Sequence, residues 1–309
     1  MIIYNLFWFL IPQLVSSVPG GFVEEGVASL TATTGAFAPN PRNDNHPMLF
    51  LASKEGKVFV LEDPDNSDDN FLILNMEEKL CINGERGLQS IRPHPLFGIQ
   101  NYFVYFYYTS HRKGCLEDVI EGPSNRLVRM EMDPQTFKFG PEEVLIETSP
   151  LPKRINNGGS VTFGNDGKLY VTTGDGGSSS LMYSQQLYNL HGKILRLNDD
   201  GSIPENNPFV NSSSFNATAC GNLREVTSSD QVCAEIFSIG MQNPFRLAMN
   251  PNNVGEVEFR VGDVGGATWE EISNGGSAYA GHNYGWPLME GPCAGLLGHC
   301  PLQEDFHDP

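Results

Sequence analysis

The chain has 309 residues, 39% of them hydrophobic, so it is long enough to bury a sizeable core in one large or two ordinary domains. Its 19 Lys and Arg residues stand against 37 Asp and Glu residues, which gives a formal net charge of −18. This balance argues against nucleic acid as a partner, because binding it needs clustered basic side chains. An acidic surface suits an extracellular protein and divalent cations.

The N-terminal residues 1–17 form a short apolar segment that ends at Ser17. This pattern is typical of a secretory signal peptide, which would leave residues 18–309 as the mature, secreted domain. The segment has no Lys or Arg before its apolar run, so an apolar first strand is the alternative. It is shorter than the roughly 20 apolar residues of a spanning helix, and no later segment is longer. We therefore expect no transmembrane segment.

Short strands separated by glycine turns follow along the chain. In order, the predicted strands are residues 48–53, 57–61, 102–109, 126–132, 161–164, 168–173, 193–197, 245–249 and 256–261. Glycine turns join the first two of these strands and the pair at 161–173 into hairpins. The unbroken apolar run at 102–109 predicts a strand buried on both faces.

The repeated unit of strand, glycine turn, strand and long polar loop predicts an all-β propeller, with a β-sandwich as the alternative. Two strands run into Gly-Asp-x-Gly, at 174–177 and 262–265, which would bring acidic and backbone groups to one end of the fold. At about 60 residues for a four-stranded blade with its loops, residues 18–309 supply roughly four to five blades. We therefore expect the propeller to be incomplete at the C-terminus of this chain.

Six cysteines behind a predicted signal peptide indicate disulfides, and the absence of a Cys-x-x-Cys pair argues against a zinc ribbon. The connectivity is open in principle. Local spacing favours Cys220–Cys233 and Cys293–Cys300, which leaves Cys81–Cys115. Two sequons, at Asn211 and Asn216, predict N-glycosylation of a polar surface loop.

Four ordered segments carry a resemblance to a known family. They are residues 83–95, residues 157–177, residues 192–209, and residues 236–248 with 262–265, 269–272 and 283–287. Their order and spacing over residues 22–292 resemble the glucose/sorbosone dehydrogenase family, including its hedgehog-interacting-protein-like branch. The pair Cys293 and Cys300 is similar to that branch in particular.

The resemblance implies a six-bladed propeller that binds pyrroloquinoline quinone (PQQ) and calcium at one mouth and removes a hydride from C1 of a sugar. In the family, a His just before the Asn-Gly-Gly at 157–159 takes the hydroxyl proton, because imidazole has a pKa near the working pH. This sequence has Asn156 there, after Ile155 where a carboxylate would orient the His. A carboxamide cannot accept a proton near neutral pH, so Asn156 marks a catalytic position without its base.

The cofactor residues implied by the resemblance are Glu85, Gln242 and Asn243. Gln242 stands where an Arg is expected, so a charge-assisted contact to an anionic quinone would be lost. Gln89 and Arg92 also depart from the first motif, together with Leu96. We interpret these three as changes of surface or packing.

The calcium residues implied by the resemblance are Gly265, Gly266 and Glu270, with Tyr284 nearby. Calcium takes about six to eight oxygen ligands, and loops rich in carbonyl groups provide them. The alternative interpretation is that Glu270 and its neighbour Glu271 lie on a solvated strand edge.

Other polar residues of these segments have simpler interpretations. Asp175 and Asp263 suit turn caps at strand ends, and Trp286 suits the core. His191 and His282 lie beside the motifs, but packing or surface roles are favoured over replacement of the missing base.

Two functions follow from these patterns. One is a secreted PQQ-dependent dehydrogenase of aldoses, and the other is a non-catalytic extracellular binding protein of the hedgehog-interacting type. A sugar, a small molecule or an extracellular protein would be the ligand of the second. Ile155, Asn156 and Gln242 favour binding without turnover.

Overall fold

The structure is a computed structural model. It describes residues 30–43, 45–64, 70–112, 114–116, 122–177, 182–211, 216–222, 231–253, 256–266, 269–291 and 293–294. The predicted signal peptide at 1–17 lies outside these residues and stays a prediction. In the part of the chain that is described, no helix is long and apolar enough to cross a membrane.

Three four-stranded antiparallel sheets contain most of the described strand residues. Sheet I has the order β1 (Thr34–Ala38), β2 (Met48–Ala52), β3 (Lys57–Leu61), β4 (Asn70–Asn75). Sheet II has the order β5 (Leu88–Pro93), β6 (Phe103–Ser110), β7 (Ser124–Glu131), β8 (Glu143–Glu147). Sheet III has the order β9 (Gly158–Phe163), β10 (Leu169–Thr173), β11 (Lys193–Leu197), β14 (Ile236–Ile239).

A three-stranded sheet and two small ribbons complete the described strands. Sheet IV has the order β15 (Pro244–Met249), β16 (Glu258–Asp263), β17 (Glu271–Gly276). The ribbons are the parallel pair β12 (Asn216–Thr218) and β13 (Gln231–Cys233), and the antiparallel pair β18 (Met289–Glu290) and β19 (Cys293–Ala294). Short 3₁₀ helices lie at Glu77–Lys79, Tyr183–Gln185 and Ser277–Tyr279.

The first strands of the four sheets lie side by side. Strand β1 packs beside β5, β5 beside β9, and β9 beside β15. Each sheet therefore extends outward from a common axis, which is the arrangement of propeller blades. The all-β propeller prediction is confirmed. The strands predicted at 102–109, 126–132 and 168–173 are observed within two residues, as β6, β7 and β10.

Strand β6 shows why the core forms between neighbouring sheets. Side chains alternate across a strand, so its even-numbered Val104, Phe106 and Tyr108 join a cluster shared with sheet I. Its odd-numbered Tyr105 and Tyr107 join a cluster shared with sheet III. Burying a large apolar side chain stabilises the fold by about 1.5–3 kcal/mol. The predicted burial of this strand on both faces is confirmed.

A third cluster fills the space between sheets III and IV. Its members include Tyr170, Ile194, Phe237, Phe259 and Val261. Every pair of neighbouring sheets is thus joined by apolar contacts, and these contacts fix the ends of the first strands relative to one another.

Two of the three predicted disulfides are present. Cys81 is bonded to Cys115 across 34 positions, and Cys220 to Cys233 across 13 positions. The third predicted pair is untested, since Cys300 and the side chain of Cys293 fall outside the described residues. Both sequon residues are exposed, with Asn216 on β12, and their glycosylation stays a prediction.

Candidate ligand site at the propeller mouth

The loops that enter β5, β9 and β15 meet at one end of the fold, which we call the mouth. It comprises residues 83–87, 153–157, 174–177, 240–243, 263–266, 269–271 and 283–291. Hydrogen bonds join these loops directly. The amide of Asn156 donates to Glu85 Oε2 at 2.7 Å, and the amide of Asp175 donates to the carbonyl of Gln242 at 2.7 Å.

Asn156 is held by its backbone and by its side chain. Its φ of 56° lies in the left-handed region, which Asn tolerates better than most residues. Its carbonyl accepts a hydrogen bond from the Gly176 amide, and its Nδ2 donates to Asp175 Oδ1 at 2.9 Å. At the position where the resemblance implies a proton acceptor, the side chain is therefore a hydrogen-bond donor to a carboxylate.

Asp175 is the centre of this network and is only 1% exposed. Besides Asn156, it accepts hydrogen bonds from the Gly177 amide at 2.7 Å and from Trp286 Nε1 at 2.9 Å. The Gly177 contact fits the turn-cap interpretation. The other two contacts go further, because they tie the loop before β9 and the loop after β17 to one carboxylate.

Gln242 and Asn243 are held in a similar way by Asp263. The amides of Gln242 and Asn243 donate to its two carboxyl oxygens at 2.9 and 2.6 Å. Asn243 Oδ1 in turn accepts from the Gly158 amide at 2.9 Å. These bonds fix the entry to β15 against the entry to β9.

The buried side chain of Gln242 keeps an unused acceptor. Its Oε1 has no hydrogen-bond partner among the described residues. A Cβ built on Gly266 would lie 3.1 Å from Gln242 Nε2 and 2.6 Å from Trp286 Cη2. The Gly266 backbone therefore approaches both side chains closely, which only a residue without a Cβ permits. Hydrogen bonds thus link the loops that carry Glu85, Asn156, Gln242 and Asn243, and the cofactor role of these residues stays a prediction.

Carboxyl groups outnumber cations in the mouth. The six acidic residues are Glu85, Asp175, Asp263, Glu270, Glu271 and Glu290, and the three basic ones are Arg86, Lys153 and Arg154. Burial, together with the charges of Glu271 and Asp175, raises the pKa of Asp263 to about 7, although its two amide hydrogen bonds oppose the shift. Burial also raises the pKa of Glu271, and the charge of Glu290 adds to that shift. Further negative charge is therefore unfavourable here.

The ammonium group of the buried Lys193, which lies beside this network, already donates hydrogen bonds to three carbonyls. Its Nζ donates to the carbonyls of Tyr183, Ser184 and His191 at 2.7, 3.1 and 2.6 Å. Burial lowers its pKa well below the usual range, although the charge of Asp175 opposes this. Burial and Lys193 lower the pKa of His191 to about 4, which makes that His a poor base at neutral pH.

Three of the four predicted calcium residues lie together. The Gly265 amide lies 3.4 Å from Glu270 Oε2, and Gly266 is next in the chain. Tyr284 lies apart from this contact, because its hydroxyl donates to the carbonyl of Asn274 in β17 at 2.7 Å.

Glu290 is a mouth residue that the sequence did not indicate. It is 6% exposed, and its Oε1 accepts from the amides of Gly266 and Trp269 at 2.7 and 3.3 Å. Glu290 lies after β17 and outside the four motif segments. In the sequence, only its position next to Gly291 and shortly after Trp286-Pro287 could indicate it.

The sheets and the mouth define the class of protein as a β-propeller with a candidate ligand site at one end. Residues 37–294 match the family model described as Glucose / Sorbosone dehydrogenase, and the chain belongs to that family.

Individual relatives agree with this assignment. The HIPL2 protein of Arabidopsis thaliana is 27% identical over 303 residues, which cover 81% of this chain and 40% of that protein. The human Hedgehog-interacting protein is 27% identical over 247 residues, which cover 74% of this chain and 31% of that protein. The chain thus spans well under half the length of these relatives.

A solved structure supports the same fold. The PQQ-bound form of the aldose sugar dehydrogenase from Streptomyces coelicolor superposes with a TM-score of 0.66 at 27% identity. The match covers 91% of this chain and 70% of that chain.

Proposed function

We propose that this chain is a secreted, non-oxidising member of the family, and that its mouth binds a ligand without chemical turnover. The observation that supports this most is the hydrogen bond from Asn156 Nδ2 to Asp175. General-base catalysis needs a group that accepts the substrate proton, and it contributes typically 10²–10⁴-fold to the rate. A carboxamide donating to a buried carboxylate supplies no such group.

The described mouth disfavours an anionic quinone with three carboxylates, because its carboxyl groups outnumber its cations. Glu85, Asp175 and Asp263 lie in its hydrogen-bond network, and Asp263 already has a raised pKa. Lys193 is buried and bonded to three carbonyls, so its charge does not reach a ligand. Gln242 is neutral where an Arg would bind an anion. We therefore derive no redox step at this site.

A neutral, hydroxyl-rich ligand fits these groups better. The exposed Glu85 carboxylate can accept a hydrogen bond from a sugar hydroxyl, and the buried Gln242 Oε1 is an acceptor that no described residue uses. We propose a sugar or another polyol as the small ligand of the mouth.

A protein partner is the second candidate, and exposed apolar side chains at the rim favour it. They are Trp269 at 45%, Ile272 at 81%, Leu288 at 55% and Met289 at 42% exposure. Aromatic residues and Met are enriched in protein interfaces. One relative carries the name Hedgehog-interacting protein, which agrees with a partner of this kind.

Calcium at Gly265, Gly266 and Glu270 is a separate proposal. Two carboxyl groups near these glycines, Glu271 and Glu290, repel each other, and a divalent cation would relieve that repulsion. The melting temperature should be higher with calcium than with EDTA, and this difference should be smaller in Glu270→Gln.

The test of the main proposal is a dye-reduction assay with purified protein, calcium, PQQ and a panel of aldoses. The wild-type protein should give the rate of the protein-free blank. The variant Asn156→His with Gln242→Arg restores two of the three missing groups, the base and the cation, and should gain quinone binding and turnover. Asn253→His, in the distant turn between β15 and β16, is the control. Wild-type turnover that needs the quinone would overturn the proposal.

A further inference from the structure

The end of the inner strands opposite the mouth holds a cavity. It has a volume of about 260 Å³ and lies where β1, β5 and β9 end. Its lining combines apolar rings with a cation: Phe37, Pro39, Arg92, Pro93, His94, Pro95, Thr162 and Phe163. We call it the Arg92 cleft.

Arg92 is half-buried, yet it has no acidic partner among the described residues. Its Nε donates to the carbonyl of Val161 at 3.1 Å, and this bond orients the guanidinium. The two terminal nitrogens make no hydrogen bond to the described residues. Burial lowers the pKa of Arg92, and no carboxylate offsets that effect. The side chain still carries its charge at neutral pH, since arginine is always protonated in proteins.

The other arginines with comparable burial show how unusual this is. Arg126 pairs with Glu147 at 2.9 Å, and Arg196 pairs with Asp166 at 2.8 Å. Among the described residues, the other half-buried arginines are Arg112, Arg126 and Arg129, and each pairs with a glutamate, whereas the buried Lys193 donates to carbonyls. Arg92 is the exception among these arginines, although the chain has 37 acidic residues. An exception that lines a cavity points to an external anion.

The walls of the cleft indicate what the uncharged part of that anion is like. Phe37 is 64% exposed and offers an aromatic face, while three prolines and Phe163 add apolar surface. The Thr162 hydroxyl supplies a polar group on β9. His94 is held in place, because its Nδ1 accepts the Leu96 amide at 3.0 Å and its Nε2 lies 3.5 Å from Asp199.

We propose that the Arg92 cleft binds the carboxylate of a ring-sized organic acid. The two free terminal nitrogens of the guanidinium match the two oxygens of a carboxylate, which bind in parallel. The aromatic and proline walls then pack against the ring. This site is separate from the mouth and does not depend on the proposed function there.

The test measures binding of benzoate to the full chain by ligand-observed NMR, with benzamide as the neutral analogue. Benzoate should saturate, and benzamide should bind about tenfold or more weakly, because it lacks the charge. Arg92→Gln should weaken benzoate binding about tenfold or more, and Arg92→Lys less. Phe37→Ala should weaken it by a smaller factor.

Arg260→Gln is the matched control, since it also removes one positive charge but lies on β16 in a pair with Glu258. It should leave benzoate binding unchanged. Equal losses in Arg92→Gln and Arg260→Gln, or no saturation by benzoate, would overturn the proposal. If Arg92→Gln fails to fold, Arg92→Lys and the benzamide comparison still decide.

Sugar acids and aromatic acids both combine a ring with a carboxylate, and a competition experiment against benzoate distinguishes them. Displacement of benzoate by glucuronate but not by glucose supports a sugar acid. Failure of glucuronate to displace benzoate overturns the sugar-acid source and supports an aromatic acid.

Discussion

The charged groups at the two ends of the inner strands differ in how fully they are hydrogen-bonded. At the mouth, Asp175 and Asp263 are buried carboxylates whose oxygens accept hydrogen bonds from three loops. At the other end, Arg92 leaves two nitrogens free in a cavity. Charges that are fully hydrogen-bonded hold loops in place, whereas a free charge is available to a ligand. The mouth therefore suits a neutral ligand, and the Arg92 cleft suits an anion.

The largest expected effect comes from the disulfide under the mouth. The carbonyl of Cys115 accepts hydrogen bonds from Arg86 and Asn83, at 3.0 and 3.2 Å, so the bond supports the loop that carries Glu85. Cys81→Ser with Cys115→Ser should lower the free energy of unfolding by about 3–4 kcal/mol, because a loop of 34 positions is released. Urea denaturation measures it. Benzoate binding by the folded variant should persist, and its loss would mean that the two ends are coupled.

The second prediction concerns pH. The pKa of Asp263 is about 7 in the folded protein, above its unfolded value of about 3.9, so the folded state holds this proton more tightly. Its contribution is full below pH 4 and is lost as the pH rises to about 7.

Relative to Asp263→Asn, the wild-type protein should therefore lose stability on the order of 3 kcal/mol between pH 4 and pH 7. Urea denaturation of both proteins at four pH values in this window gives the difference. A flat difference would show that Asp263 has an ordinary pKa.

The third prediction tests the bond between Trp286 and Asp175. Trp286→Phe should cost about 1–3 kcal/mol, because a buried carboxylate loses a donor. Trp269→Phe is the control and should stay within about 0.5 kcal/mol, since that side chain is 45% exposed. Thermal denaturation of both variants decides. Equal losses of stability in the two variants would show that the hydrogen bond from Trp286 to Asp175 does not stabilise the fold.

The smallest effect is expected at the Arg92 cleft. Arg92→Met should change the free energy of unfolding by no more than about 1 kcal/mol, because only the hydrogen bond to the Val161 carbonyl is lost and no acidic partner is left behind. The same variant should lose benzoate binding. A large destabilisation without a change in binding would make Arg92 a structural residue.

Much of the fold was accessible from the sequence, because strand alternation and glycine turns are local. The run at 102–109 predicts β6, and cysteine spacing predicts Cys220–Cys233, which together with the untested third pair leaves Cys81–Cys115. The mouth was harder, since Trp286 and Asp175 meet across 111 positions and no local pattern records that contact. From the sequence alone, Arg92 suits a change of surface or packing. Its orientation depends on how β5 lies against β9, which no local pattern records.

The central claim is that this mouth does not oxidise a sugar. The most direct measurement is a single-turnover experiment without oxygen, in which wild-type protein, calcium, stoichiometric PQQ and glucose are mixed and the quinone absorption is followed. The spectrum should remain that of oxidised PQQ, as in a sample without protein. Reduction of the quinone by the wild-type protein within minutes, and its absence when glucose is omitted, would contradict the account.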